Sequence, residues 1–442
     1  MTRAIRAAPF AGLAFGMVIT AVAITLPAVT GWNVHVNTWP PLHANWDPRV
    51  GPGSLPAVLV GALAVWWALP LAQRLPWRGL LLATYAVGLA WLFSLAFVDG
   101  RGGIATILDT RYEYLPTARA TTDLPALLPG WVARIPFDGL PEDVPGANWP
   151  VHVAGHPPGA LSFFVWLDRV GLGSGWAAGV VVALLAASTA VAVLVTLKLL
   201  GAEVVARRAA PFLVFAPAAI WQAVSADGMF AAVAAWGVAA LAAGAVRRSI
   251  VWSVVAGLLL GYAVMLSYGL PLLGLLALAV LVVARTWRPL PWAALAAFGV
   301  VMAYAALGFV WWEALPAVHD RYWAGVARVR PPSYWWWGNL AALTFSAGPM
   351  MWAGLTTLGR QALDVGVDAA RVVRWLVAAA AAMVLAADAS QMSKAEVERI
   401  WLPFVPWLLI ACALLPERWR RAGLAIQVAV AVIVQHLLFT GW

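Results

Sequence analysis

GWAAGVVVALLAASTAVAVLVTLKLL, residues 175–200, decides the fold class. Its only charged residue is Lys198, close to the end. About 20 apolar residues suffice to cross the hydrocarbon core of a bilayer. Inside lipid every backbone N–H and C=O must be paired internally, which leaves helices or a closed barrel as spanning structures. The stretch is rich in Ala, Val and Leu without a period of two, so it reads as a helix.

The rest of the chain repeats this character. Of 442 residues, 63% are hydrophobic and 11% charged, and the mean hydropathy is +0.84. A soluble domain carries roughly 45–50% apolar and about 25% charged residues. Lipid must therefore solvate much of the surface, and the expected fold is an all-α polytopic membrane protein. Thirteen candidate spans can be marked, at 9–30, 55–73, 79–98, 174–200, 208–223, 229–246, 250–268, 270–284, 290–312, 339–357, 375–389, 401–415 and 422–438. The first follows Arg3 and Arg6 and is longer than the apolar core of a signal peptide, so it reads as an uncleaved helix. The single cysteine, Cys412, permits no intramolecular disulfide.

Charge orients these spans. With the N-terminus inside, the cytoplasmic links hold 17 of the 28 basic residues and only four acidic ones, Glu203, Asp364, Asp368 and Glu417. The remaining 11 basic and 15 acidic residues fall outside or at that membrane edge. This is the positive-inside pattern, and it explains the formal charge of +9 without nucleic acid. No basic tract with interleaved aromatics of the nucleic-acid type is present. Cytoplasmic links are short, whereas the outer loops run 31–54, 99–173, 313–338 and 390–400. Loops longer than about 12–15 residues are usually functional or disordered, and these are rich in Trp, Pro and His rather than in disorder-promoting residues. The chemistry is expected on the outer side, in a multi-pass protein of the plasma membrane. Within the long loop, PPGALSFFVWLDRVG at 157–171 reads as an amphipathic helix at the interface.

Four loop segments carry candidate chemistry. Asp109-Thr110-Arg111-Tyr112-Glu113-Tyr114 follows the third span; a carboxylate there could act as general base towards an acceptor hydroxyl, and Arg111 could hold a phosphate or pair with Glu113. The bland alternative is a solvated loop with a local ion pair. His152 and His156 stand four apart before Pro157-Pro158. Proline disfavours helix in the residue preceding it, so a zinc pair is not expected. The segment reads as a rigid turn with His156 as a cap, or with His156 bonding a phosphate or hydroxyl. Ser225-Ala226-Asp227-Gly228 is a tight link in which a carboxylate at the membrane edge is functional by default or else a helix cap. In SKAEVERIWLP, 393–403, Arg399 could hold a phosphate or pair with Glu396 or Glu398. His319, Arg321, Arg328 and Arg330 form a further cationic set suited to a phosphate head. Trp335-Trp336-Trp337 could stack on sugar, although an interfacial aromatic belt explains it more simply. No Gly-rich nucleotide loop, Ser-triad pattern or CxxC site is present.

These segments, in this order, resemble the GT-C superfamily of glycosyltransferases, which includes protein O-mannosyltransferases, aminoarabinose transferase and mycobacterial arabinosyl- and mannosyltransferases. DTRYEY is similar to the Asp-Glu-x-Arg-Tyr segment of the aminoarabinose transferases, with Thr110 where that family has Glu. HPPG at 156–159 and SADG at 225–228 follow in the same succession, so the resemblance covers roughly 79–246, with the catalytic loop at 99–173. SKAEVERIWLPF looks like a motif of actinobacterial members, among which the methylthioxylose transferases of envelope lipoglycans are the most similar in character. Residues 1–78 would add two helices and a Trp-rich loop, and 247–442 the variable C-terminal helices.

The resemblance implies transfer of a pentose or hexose from a polyprenyl-phosphate donor to an envelope glycan or lipoglycan, with inversion. Asp109 would be the base, with Asp99 in reserve and Glu113 nearby. Arg399, Arg321, Arg111, His156 and Lys394 would hold the donor phosphate, while Asp227, Glu398 and Tyr112 would orient the acceptor. No cofactor is required, although a divalent Mg or Mn ion shared by Asp109 and Asp227 is compatible with the family. A retaining route would need a second carboxylate as nucleophile. The rival class is a transporter or flippase for a lipid-linked sugar, which would call for polar residues at mid-bilayer or broken helices in two related halves. Asp388 is almost the only charge within a span, and no internal repeat is detected.

Overall fold

A computed structural model describes residues 3–137, 148–359 and 366–441. They are predominantly helical; two short strands, Asn45–Trp46 and Leu438–Phe439, pair antiparallel. Seven helices among the described residues are long and apolar enough to cross a membrane: Ala7–Thr30, Ser54–Arg74, Trp77–Asp99, Gly175–Leu199, Ala226–Arg247, Pro289–Ala306 and Val367–Ala389. Large apolar side chains such as Leu59, Leu63, Trp66, Leu295 and Phe298 stand exposed on these helices. So much apolar surface has no place in water and fits a membrane-embedded protein.

The Ala226–Arg247 helix is the most buried of the seven and forms the centre. It packs against Gly175–Leu199 on one side and Ile250–Leu266 on the other. Small residues allow this closeness. Gly257 and Gly261, spaced as GxxxG, press onto the backbone of Ala293 and Ala297 in the Pro289–Ala306 helix, where a Cβ would collide. Without a hydrophobic drive between helices in lipid, such small-residue contacts supply the packing.

Several expected spans are shorter or interrupted. The 208–223 stretch is part of helix Glu203–Val214, followed by a break around Pro217 and a single turn, Ala219–Gln222. Helix Pro332–Ala347 stops at Gly348, whose φ of +74° suits glycine, and resumes as Met350–Leu358. The 401–415 stretch is a short helix, Val405–Leu409, continued by a 3-10 turn, Ile410–Leu414. Proline or glycine stands at or beside each break, consistent with the loss of a ladder hydrogen bond or of a Cβ.

The interfacial helix expected at 157–171 is Pro158–Arg169. Its apolar face is buried against protein, stacking on the Tyr114–Ala120 and Ile250–Leu266 helices, with Trp166 left exposed. Pro158 at the first helical position starts it well, because its missing N–H has no partner there anyway.

The chain segregates its loops. At one end Arg207 donates to the carbonyls of Ala72 (3.0 Å) and Leu75 (2.8 Å), and Lys198 pairs with Glu203 (3.0 Å). The segments 31–54, 97–137, 148–173, 307–331 and 390–404 are tied to one another by separate contacts. Arg330 Nε donates to His35 O (3.1 Å), and its Nη1 donates to Lys394 O (2.5 Å). Arg321 donates to Ile135 O (2.8 Å) and Trp149 O (3.1 Å). Arg49 pairs with Asp99, which also accepts from Gln435 (2.8 Å).

Candidate functional site

Four stretches of the chain, around residues 113, 152, 227 and 396–399, meet in one largely buried cluster of ionisable groups. The first contribution is the 107–120 stretch. Arg111 and Tyr112 face outward, while Glu113 and Tyr114 turn in and are 2% and 1% exposed. The alternation arises because Glu113 is the extended residue that starts helix Tyr114–Ala120. Glu113 Oε1 meets His152 Nδ1 at 2.7 Å, and the His152 backbone N–H donates to Tyr112 O (3.2 Å). Glu113 Oε2 and the Tyr114 hydroxyl are buried without a hydrogen-bond partner in the protein. Orphaned buried polar atoms are rare and call for an explanation.

His156 closes one side. The one-turn helix Val151–Ala154 brings it back so that its Nδ1 donates to His152 O (2.7 Å). That bond assigns the Nδ1–H tautomer and leaves Nε2 as an acceptor. Pro157, not His156, occupies the N-cap of the following helix. The local turn also keeps the two imidazoles near each other, 6.5 Å between centroids, despite the prolines. Among the described residues no group of three or more His, Cys, Asp or Glu side chains is arranged to hold a metal ion.

Asp227 enters from the central helix. Ser225 is the N-cap, accepting from Gly228 N (3.1 Å), which leaves Asp227 in the first turn, where the helix dipole favours a carboxylate. The Asp227 carboxylate is 4% exposed and pairs with Arg399, whose other terminal nitrogen donates to Glu396 Oε2 (3.2 Å). The partners Asp227 and Arg399 are 172 positions apart. Glu396 is aimed by strained backbone: Ala395 and Glu396 are consecutive left-handed residues, φ 70° and 60°, at a cost of roughly 1–2 kcal/mol each. Asn339 holds this turn, accepting from Ala395 N (3.2 Å) and donating to Ser393 O (2.8 Å).

Electrostatics follow from burial and pairing. Burial opposes the Arg399 charge, but Asp227 and then Glu396 more than offset it, so it stays firmly protonated. Burial alone would raise Glu396, yet Arg399 and Arg330 hold it below the usual carboxylate range. Burial, and then the neighbouring Glu113 and Asp227, keep Tyr114 a neutral phenol. Glu398, 1% exposed, is pushed by burial up to about 8 and is a neutral acid at pH 7. Burial lowers His156 to about 4, so its ring is neutral as well.

These two shifts predict a pH signature. The Glu398 contribution to stability is complete below its ordinary 4.5 and is lost as pH rises to about 8. The His156 contribution is complete above 6.5 and is lost as pH falls towards about 4. Between those ordinary values the two oppose each other. Thermal stability is therefore expected to decline from about pH 6.5 to 8, and Glu398→Gln to flatten that decline in unfolding scans. An unchanged slope in the variant would assign the pH dependence elsewhere.

The other candidates lie apart from the cluster. Asp109 is partly exposed and held by Arg119, which bonds it through Nη1 (3.0 Å) and also donates to Gly173 O (3.1 Å). Asp99 serves the Arg49–Gln435 junction. Arg111 lies on the Tyr112 ring, 4.7 Å from its centroid, and donates to its hydroxyl. Arg321 ties two loops through carbonyls. Lys394 is buried; its Nζ donates to Ala327 O and Arg330 O, both 3.1 Å, and faces the Trp323 ring. Trp335 is wholly buried and donates to Val34 O (3.2 Å), whereas Trp336 is exposed in the manner of a belt residue. Tyr114, Glu396 and the Glu113–His152 pair were not singled out in sequence as a group; the one available signal was the spacing of three between Glu396 and Arg399.

Comparison with known protein families and with curated proteins finds no match for this chain.

Proposed function

We propose that this protein is an extracytoplasmic glycosyltransferase that moves a sugar from a polyprenyl-phosphate donor to an envelope glycan, with the Glu113 cluster as its active site. One observation carries the reading. Four distant stretches converge to place Glu113, His152, Asp227 and the Glu396–Arg399 pair together, with Glu113 Oε2 and the Tyr114 hydroxyl left unpartnered. Unpaired polar atoms among fixed charges suit a site that completes its bonding with substrate. Inversion requires a single base. Glu113 is better prepared than Asp109, because His152 holds one oxygen and the other is unoccupied by protein. The base would take the acceptor proton while the acceptor oxygen attacks the anomeric carbon and phosphate departs.

On this reading the chain crosses the membrane thirteen times, the interrupted helices included, with the N-terminus cytoplasmic. The donor isoprenoid would occupy the apolar groove between the Ile250–Leu266 and Pro289–Ala306 helices, about 550 Å³ and lined by Val254, Leu258, Trp292 and Leu295 among others. Both walls reach the Pro158–Arg169 helix: Tyr262 donates to Gly159 O (3.0 Å), and Tyr304 to Ser162 Oγ (3.4 Å). That helix starts two residues after His156, which would bring the donor phosphate to the cluster. A divalent ion is compatible with the carboxylates but plays no part in the step.

The interrupted helices favour the rival flippase reading. Against it, the breaks do not fall in two related halves, and the polar Gln427 beside Gly348 is satisfied by Ala347 O (2.7 Å). The deciding experiment offers purified protein radiolabelled polyprenyl-phosphate pentoses and hexoses with envelope glycan acceptors. Label transfer is expected from at least one donor. Binding of donors without any transfer would replace the enzyme by the flippase.

A further inference from the structure

The segment 31–53 contributes no residue to the proposed catalytic step, yet it forms one wall of a separate open groove of about 360 Å³, a size typical of small-molecule sites. The groove is lined by Ile24 and Pro27, from the last turns of the Ala7–Thr30 helix. It is also lined by Trp32, Asn33, Asn37 and Trp39. None of the described residues lining it carries a charge, in a protein with 28 basic residues.

The aromatic walls are held in place. Trp39 stacks on Trp46, 5.6 Å between centroids and 29° between planes, and its backbone N–H donates to Ala44 O (3.2 Å). Trp32 sets its ring edge-on to buried Tyr334, also at 5.6 Å. The polar groups stand ready: Asn33 spends its Oδ1 on His35 N (2.9 Å), and the Asn37 amide is exposed. An indole face is electron-rich and attracts the C–H face of a pyranose or furanose, while neutral amides bond hydroxyls in either direction. A phosphate would instead demand cations or several N–H donors.

We propose that this groove binds the neutral sugar portion of a membrane-anchored glycan, with the lipid-proximal end against Ile24 and Pro27 and the sugar between Trp32, Trp39 and the two asparagines. If the transferase reading holds, this is the subsite that presents the acceptor. The same loop is linked towards the catalytic cluster through one residue: Arg330, which donates to Lys394 O beside the Glu396 turn, also donates to His35 O (3.1 Å). A glycan seated here is anchored by a rigid wall that continues into the Glu396 turn, which rewards preorganisation over induced fit.

The test is saturation-transfer NMR on the full chain in nanodiscs, with short mannose and arabinose oligosaccharides as probes. Saturation of at least one neutral oligosaccharide is expected. Trp39→Ala and the solvent-facing Asn37→Ala should each abolish it, and Asp320→Asn, at an exposed position outside both sites, should leave it in place. Saturation that persists in both groove variants, or that appears only with phosphorylated sugars, overturns the proposal, as does none with any neutral probe. Sugar binding without transfer in the assay above would retire the enzyme and leave the groove; transfer without sugar binding would do the reverse.

Discussion

Glu113→Gln is expected to lower transfer by about 10²–10⁴-fold, the usual contribution of a general base, while the protein folds and binds donor normally. The amide is isosteric and can still accept from His152, whose Nδ1 lies 2.7 Å from Oε1, so packing is little changed. What it lacks is the basic lone pair on the unpartnered Oε2. The informative companion is Asp109→Asn. That carboxylate is partly exposed and paired with an exposed arginine, an interaction contributing about 0–1 kcal/mol to stability, and its loss should leave transfer close to wild type. Initial rates at saturating donor, measured on both variants side by side, check the assignment. An inactive Asp109→Asn beside an active Glu113→Gln would return the base to Asp109 and make the buried cluster a purely structural one.

Arg399→Met is expected to be strongly destabilising, by about 3–5 kcal/mol, because breaking a buried pair leaves uncompensated charge behind. Here two carboxylates lose their partner at once, Asp227 at 4% exposure and Glu396 at 28%. The loss should appear as a lower unfolding temperature in detergent and as a poor yield of folded protein. Neutralising the carboxylates as well, in Arg399→Met/Asp227→Asn/Glu396→Gln, should recover much of that stability, since replacing a whole buried ion group is often close to neutral. The triple variant would remain inactive. If Arg399→Met unfolds at the wild-type temperature, the three groups are not coupled and the cluster loses its keystone.

The arginine also shows how a sequence argument reaches its boundary. Arg399 was legible as a membrane-edge cation with Glu396 three residues before it, a spacing that faces two side chains together on a helical turn. The observed pair uses that spacing, but only because Ala395 and Glu396 adopt left-handed backbone that no residue preference announces. The DTRYEY segment was legible as polar chemistry close to a span. Which of its carboxylates turns inward depends on where a helix begins and on what His152 offers to Glu113.

The amino-acid sequence by itself determined the helical class of fold and the presence of helices apolar enough to cross a membrane. Apolar runs of bilayer length without a period of two favour helices over a barrel, and that conclusion needs no neighbour to be known. It also singled out the long loops, because polar and aromatic residues collect where the chain leaves the lipid. The structure shows which prolines and glycines interrupt helices, as at Pro217 and Gly348; others, such as Pro9 and Pro27, are accommodated inside one. Tertiary structure alone decided the site, because Asp227 and Arg399 are 172 positions apart. Hydropathy is a sum over neighbours along the chain, whereas a buried ion cluster is a property of neighbours in space.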